Sequence, residues 1–229
     1  MTERERWSQT AEEVAEDERF FRWYGAWAPL DPPGLARFMD GFSRPWWIVG
    51  GWAIEAFTGA PREHEDVDLS ILACDIPALR AHVGDDWNLW SVHGGSLRPL
   101  DDRHPEVLDV GSQIWVRRSA HEPWIIDLPL TPDRDGLWTS KRDPEHVVPV
   151  EEATWVHTDG IRYVRPEIAL LYKAALHRPK DERDLTVTWP LLDDDRRAWL
   201  RDAVGRLYPD HAWLEGLIVS TRVGWAGHA

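Results

Sequence analysis

The sequence predicts an α+β protein, with a mixed β-sheet and flanking helices over residues 1–150 and a helical region over residues 151–229. Three observations carry that expectation. Residues 46–55 read Trp-Trp-Ile-Val-Gly-Gly-Trp-Ala-Ile-Glu and residues 66–72 read Asp-Val-Asp-Leu-Ser-Ile-Leu, which is a strand, a glycine turn, a helix, a loop and a second strand. Further apolar runs at 87–92, 108–117 and 124–130 read as strands, with a Gly-, Pro- and Asp-rich loop at 94–105. Beyond Pro149 the hydrophobic period becomes helical.

Taken in order, residues 10–27 predict a packing helix whose apolar stripe is Phe20, Phe21, Trp23, Tyr24 and Trp27. Pro32-Pro33 breaks it, and residues 34–42 form a short helix leading into a strand at 46–49. A helix at 76–83 follows the Asp-containing strand. In the C-terminal part, Pro166 opens a helix over 167–177, and two more run from 181 towards 189 and over 193–208. Leu170, Leu171, Ala174 and Ala175 form the stripe expected to pack on the sheet, with Tyr172, Lys173 and Leu176 partly on other faces.

Composition narrows the function classes. At 229 residues the chain suits one large domain or two small ones. A net charge of −14 argues against a protein that tracks nucleic-acid backbones, since that affinity comes from clustered Lys and Arg, and it would attract a cationic small molecule. The charged N-terminus, and the lack of any apolar run near the ~18 residues of a membrane span, predict a cytoplasmic protein with no membrane partner. The single cysteine, Cys74, has no internal disulfide partner and is expected to be a small buried thiol. Usage is skewed to 16 Trp, and to 23 Arg against three Lys, so that Lys173 and Lys180 stand out together where Arg is the background choice.

The chemistry lies in the two motifs. Residues two apart on a strand share a face, so Asp66 and Asp68 project together while Val67, Leu69 and Ile71 face the core. Two adjacent carboxylates repel each other and favour a divalent cation, and Mg²⁺ suits one or two carboxylates plus phosphate oxygens. Gly50-Gly51, fifteen residues before Asp66, lets backbone N–H groups approach phosphate closely at a helix start. Two-metal phosphoryl transfer uses a further acid. Asp127, alone in the apolar run Trp-Ile-Ile-Asp-Leu-Pro-Leu, is the candidate, and Asp109 is its competitor.

The pattern Gly-Gly-Trp-Ala-Ile-Glu, a spacer, then Arg-x-His-x-Asp-x-Asp resembles the nucleotidyltransferase superfamily that shares the DNA polymerase β-like palm. Within it, the pattern is similar to small antibiotic-modifying adenylyltransferases of the aminoglycoside 2″ and lincosamide type. Residues 160–173 and 178–184 resemble the C-terminal helical part of such proteins, so the resemblance spans roughly residues 44 to 215. It implies a nucleotidyltransferase palm closed by a C-terminal helical domain, with Mg²⁺ (or Mn²⁺ in its place) and ATP or another NTP. It also implies transfer of a nucleoside monophosphate, AMP in that family, to a hydroxyl of a small molecule such as an aminoglycoside or lincosamide, releasing pyrophosphate. By resemblance Lys173 would neutralise the triphosphate. Lys180 and Asp181 stand either at the same site or at an ordinary helix start, and Arg62 and His64 either contact nucleotide or pack against the strand. The family's usual Asp is Glu55 here. Two other readings stand beside this one. A basic patch at Arg117, Arg118, Arg142 and Arg165 would favour a protein- or tRNA-modifying enzyme of toxin–antitoxin type, and an Asp127 turned away from Asp66 and Asp68 would favour a non-catalytic nucleotide-binding protein.

Overall fold

A computed structural model describes residue 19 and residues 22–215, apart from 63, 65 and 110. Most of the helix expected at 10–27 lies outside the described residues. Helix α1 (Pro32–Phe38) starts at the Pro-Pro pair itself, two residues before the expected start at 34. Proline needs no N–H in the first turn, and the Asp31 side chain caps that turn by accepting from the Gly34 N–H at 2.7 Å.

Strand β1 (Trp47–Ile48) leads into helix α2 (Gly50–Thr58), and β2 (Leu69–Ser70) returns antiparallel to β1, pairing Trp47 with Ser70 and Ile48 with Leu69. Helix α3 (Ile76–Val83) has the expected bounds, with Pro77 in its first turn and Gly84 after its end. An antiparallel sheet follows, made of β3 (Asn88–His93), β4 (Ser96–Pro99), β5 (Gln113–Arg117) and β6 (Ile126–Pro129), in the order β4-β3-β5-β6. Strand β4 lies inside the segment expected to be a loop. The strand expected at 108–117 is shortened, because Asp109 turns the chain by accepting from the Gly111 N–H at 2.7 Å.

Three short strands, β7 (Asp133–Arg134), β8 (Leu137–Thr139) and β9 (Val147–Val148), form a separate sheet before the one-turn helix α4 (Val150–Ala153). Beyond Pro149 the chain still contributes strands. β10 (Thr154–Val156) and β11 (Arg162–Val164) form a hairpin, and β11 pairs in parallel with β1 through Ile48 and Tyr163. The sheet β10-β11-β1-β2 is therefore mixed, as expected, although it draws strands from both halves of the chain. Parallel bridges Asp68↔Asp127 and Leu72↔Thr131 then join its β2 edge to the β6 edge of the antiparallel sheet. The Ser70 hydroxyl reinforces the seam by donating to the Pro129 carbonyl at 2.7 Å.

Helices α5 (Pro166–Ala174), α6 (Pro179–Thr188) and α7 (Asp194–Leu207) complete the α+β fold. Ile168, Leu170 and Leu171 of α5 enter the same core as Leu69, Ile71 and Ile48, each such burial contributing about 1.5–3 kcal/mol. Trp47 and Trp138 fill this core, and Trp124 anchors a second aromatic cluster. Lys173 is 6% exposed, its face of α5 being covered by α6 through Asp181 and Asp184. Cys74, expected to be buried, is exposed. Its thiol is nevertheless pushed up to about 11 by desolvation and by Asp133 and Asp75. No helix among the described residues is long and apolar enough to cross a membrane.

Candidate active site

The two motifs meet at the seam between the sheets. Gly50 adopts φ +69°, and a Cβ there would collide with the Asp68 carboxylate, so only glycine lets the helix start lie against that side chain. The Val49 N–H donates to the Asp68 carbonyl at 2.9 Å, and the Trp52 indole donates to the Asp66 carbonyl at 3.0 Å. The glycine turn and the acidic segment thus hold each other in place. Val67, Leu69 and Ile71 are fully buried, as expected from the alternation. Asp66 itself precedes the paired strand and is exposed, whereas Asp68 is half-buried.

The Asp68↔Asp127 bridge brings the expected third acid into register beside the motif. Burial, then the neighbouring Asp66, push Asp68 up to about 7, against the pull of Lys173, Lys180 and Arg178. Asp127 lies well above the usual carboxylate range through burial and then repulsion from Asp68 and Asp66, opposed by Lys141. One Asp127 oxygen accepts from the Gln113 amide at 2.9 Å, while Oδ1 is buried without a hydrogen-bond partner. Mutual repulsion together with an orphaned buried oxygen is a poor arrangement for the protein alone, and it suits a hard divalent cation. Among the described residues no three His, Cys, Asp or Glu side chains stand as a ready-made metal cage. The fit therefore rests on the oxygen donors and their charge. Asp109 is exposed and occupied with its own turn.

The cations divide into two groups. Arg62 lies over Gly51, where a Cβ would clash with its guanidinium, and donates to both Asp184 oxygens at 2.8 and 2.6 Å. Lys173 Nζ is 2.7 Å from Asp184 and 3.4 Å from Asp181, and Arg178 Nε is 2.9 Å from Asp181. Arg62 and Lys173 thus form a buried cross-link between the motif loop, α5 and α6. Lys180 is half-buried and acts on Asp68 through its charge. His64 stacks on Trp52 with ring centroids 3.7 Å apart and bonds Glu55 at 2.8 Å. Burial lowers the His64 pKa, and Glu55 opposes that shift. Glu55 also accepts from the Arg62 N–H at 2.9 Å, so it clamps the loop between the motifs.

Lys141 was missed by the sequence reading. Its charge acts on Asp127 and Asp68, so all three lysines of the chain converge on the carboxylates. The scarcity that singled out Lys173 and Lys180 was the available signal. The four arginines considered as a nucleic-acid patch are engaged separately. Arg117 stacks 4.0 Å over Trp124, Arg118 stacks 4.7 Å over Trp87, and Arg165 donates to the Glu152 carbonyl. Arg142 lines a cavity beside Gln113.

Residues 35–83, which carry both motifs, match the family described as aminoglycoside-2''-adenylyltransferase. Among solved structures, the chain is similar to the antibiotic-resistance factor ANT(2'')-Ia in solution, with 20% identity over 81% of this chain and 94% of that chain at a TM-score of 0.48. It is similar to the lincomycin-bound lincosamide antibiotic adenylyltransferase LnuA, with 19% identity over 70% and 97% at a TM-score of 0.47. ANT(2'')-Ia in complex with adenylyl-2''-tobramycin gives 18% identity over 82% and 93% at a TM-score of 0.40. No curated protein matches the chain.

Proposed function

We propose that this protein is a Mg²⁺-dependent nucleotidyltransferase that moves AMP from ATP to a hydroxyl of a small molecule of the antibiotic-modified type. The observation that carries the reading is the register of Asp68 with Asp127 beside Gly50, with one Asp127 oxygen orphaned. Asp66 and Asp68 would hold Mg²⁺, with Mn²⁺ as a substitute, and the metal would neutralise the triphosphate. Gly50 and Gly51 present the start of α2 to the β- and γ-phosphates. Lys180 and Lys141 add positive charge around the same carboxylates, while Arg62 and Lys173 hold the motif loop against the helical region. The acceptor oxygen forms its bond to the α-phosphorus as the bond to the bridging oxygen breaks, and pyrophosphate leaves. Asp127 would take the acceptor hydroxyl's proton, or would hold a second metal that lowers the cost of losing that proton to water. Such a reaction asks the protein mainly to position groups and balance charge. We place it in the cytoplasm, where ATP is supplied, with the palm of residues 1–150 completed by strands β10 and β11 and closed by the C-terminal helices.

The test is a mass-spectrometric search for nucleotidylated products, offering each NTP with Mg²⁺ or Mn²⁺ and pooled aminoglycosides, lincosamides, tRNA and cell proteins. An Asp66→Asn/Asp68→Asn protein runs alongside. The expected result is a metal-dependent adenylylated small molecule that the double variant does not make. A folded native protein yielding no product from any pool would overturn the reading, and a labelled protein or tRNA would replace it.

A further inference from the structure

The four-stranded antiparallel sheet has two unlike faces. Leu89, Ile114, Val116, Ile126 and Leu128 point into the main core. Trp90, Gln113, Trp115, Asp127 and Pro129 alternate with them and occupy the other face. That face carries a cavity of about 610 Å³ whose wall includes His93, Asp109, Gln113, Pro129, Lys141 and Arg142. Gln113 connects the cavity to the reaction site, since its amide holds Asp127 at 2.9 Å.

The charges of this wall run against those of the whole chain. The protein carries −14, yet the cavity presents two fixed cations against one acid. That acid is already committed, because Asp109 accepts from the Gly111 N–H at 2.7 Å and faces His93 at 4.0 Å. Among the described residues neither Lys141 nor Arg142 has a carboxylate within ion-pair distance, and Arg142 is exposed. The loop that presents them is braced on both sides. The Lys141 N–H donates to the Tyr172 hydroxyl of α5 at 3.3 Å, and Asp143 pairs with Arg206 of α7 at 2.8 Å. Cations on an anchored loop are pre-organised for an oxyanion and repel amines, so an acceptor bearing several ammonium groups would meet like charge here.

Resting on the nucleotidyl-transfer reading above, we propose that this cavity is the acceptor site and that its substrate is a hydroxylated molecule carrying an oxyanionic group, held by Lys141 and Arg142, rather than a polycation. The acceptor hydroxyl then points past Gln113 towards Asp127.

The test is calorimetric titration of the full chain, without turnover, with glucose 6-phosphate, gluconate, glucose and tobramycin. At least one anionic probe is expected to bind tenfold or more tightly than glucose and more tightly than tobramycin, and comparing the two separates phosphate from carboxylate recognition. Arg142→Glu should weaken the anionic probe by tenfold or more and tighten tobramycin, with Arg142→Gln between them; circular dichroism establishes that each variant is folded. Tobramycin binding tightest to the native chain, or anionic probes no better than glucose, would overturn the proposal. So would an Arg142→Glu protein whose main loss is affinity for a non-hydrolysable ATP analogue, since the cations would then serve the triphosphate. The product search with Asp66→Asn/Asp68→Asn, with glucose 6-phosphate and gluconate added to its pools, reports separately on the reaction. Transfer onto tobramycin sinks this inference alone, and anion binding without any transfer keeps the site and sinks the reaction.

Discussion

Two acidic clusters lie on either side of the motif loop, and they are treated in opposite ways. Asp181 and Asp184 are buried and fully matched, with Arg62, Lys173 and Arg178 all within 3.4 Å. Asp68 and Asp127 are held in register with each other, lifted by burial and mutual repulsion, with one oxygen unpartnered. The same residue type therefore serves as a directly ion-paired tie in one cluster and, in the other, as a carboxylate that cations reach only through their charge. Repelling buried carboxylates are costly without further positive charge, so the contrast separates the groups that hold the cleft from those proposed to act in it.

Asparagine substitutions on the two sides break the comparison most directly. Asp68→Asn should reduce nucleotidyl transfer by about 100- to 1,000-fold while changing stability by less than about 1 kcal/mol, because it removes a repulsive charge and keeps the shape. Asp184→Asn should do the reverse. Leaving Arg62 and Lys173 without their shared partner costs about 3–5 kcal/mol, a fall in Tm on the order of 10 °C. Transfer rates and thermal melts on both proteins decide the matter. An Asp184→Asn protein that melts normally and has lost only transfer would place both clusters in the reaction site and erase the distinction.

A smaller effect comes from the glycine that lets the poised side form. Gly50 and Gly59 both adopt left-handed φ values, +69° and +66°, but only Gly50 has the Asp68 carboxylate where a Cβ would go. Alanine at either position costs about 1–2 kcal/mol of backbone strain. Gly50→Ala should additionally displace Asp68 and lower transfer about 10- to 100-fold, whereas Gly59→Ala keeps its rate. Equal rates in the two variants would mean that the close approach of helix and carboxylate is incidental.

What was legible beforehand follows the range of the interactions involved. Residues 76–83 were bounded correctly because Pro77 and Gly84 are adjacent signals, and the Gly50-Gly51 turn and Asp66-x-Asp68 pair are equally local. Asp127 was picked out because a lone acid in an apolar run needs a reason, and its register with Asp68 supplies one. The pairing of β11 with β1 could not be read, since Ile48 and Tyr163 are distant in sequence and short parallel strands leave no alternation to detect. The ion pair between Arg62 and Asp184 is hidden for the same reason, so the choice left open for Arg62 between nucleotide contact and local packing did not include a tie to α6. Strand β4 escaped because Ser-Leu-Arg-Pro sits among turn residues, and Cys74 is exposed because it lies within the 3₁₀ turn Ala73–Asp75 rather than on the strand before it.

The smallest expected effect concerns the acid stability of the matched side. Asp181 loses solvation on burial, but the Arg178 hydrogen bonds and the charge of Lys173 outweigh that and hold its pKa below the ordinary 3.8. A carboxylate depressed in the folded state contributes stability that is present above its unfolded pKa and lost as pH falls through its folded one. The difference in Tm between the native chain and Asp181→Asn should therefore be constant from pH 7 down to about 5, then shrink as the pH drops below 3.8. Melts of both proteins across that range cancel the titration of every other carboxylate they share. If the difference is already fading between pH 7 and 5, Asp181 is raised rather than lowered, and the matched cluster is under the same electrostatic stress as Asp68 and Asp127. If it holds to pH 5 and shrinks only below 3.8, the ion pairs around Asp181 and Asp184 are the matched side of the cleft, distinct from the mutually repelling Asp68 and Asp127.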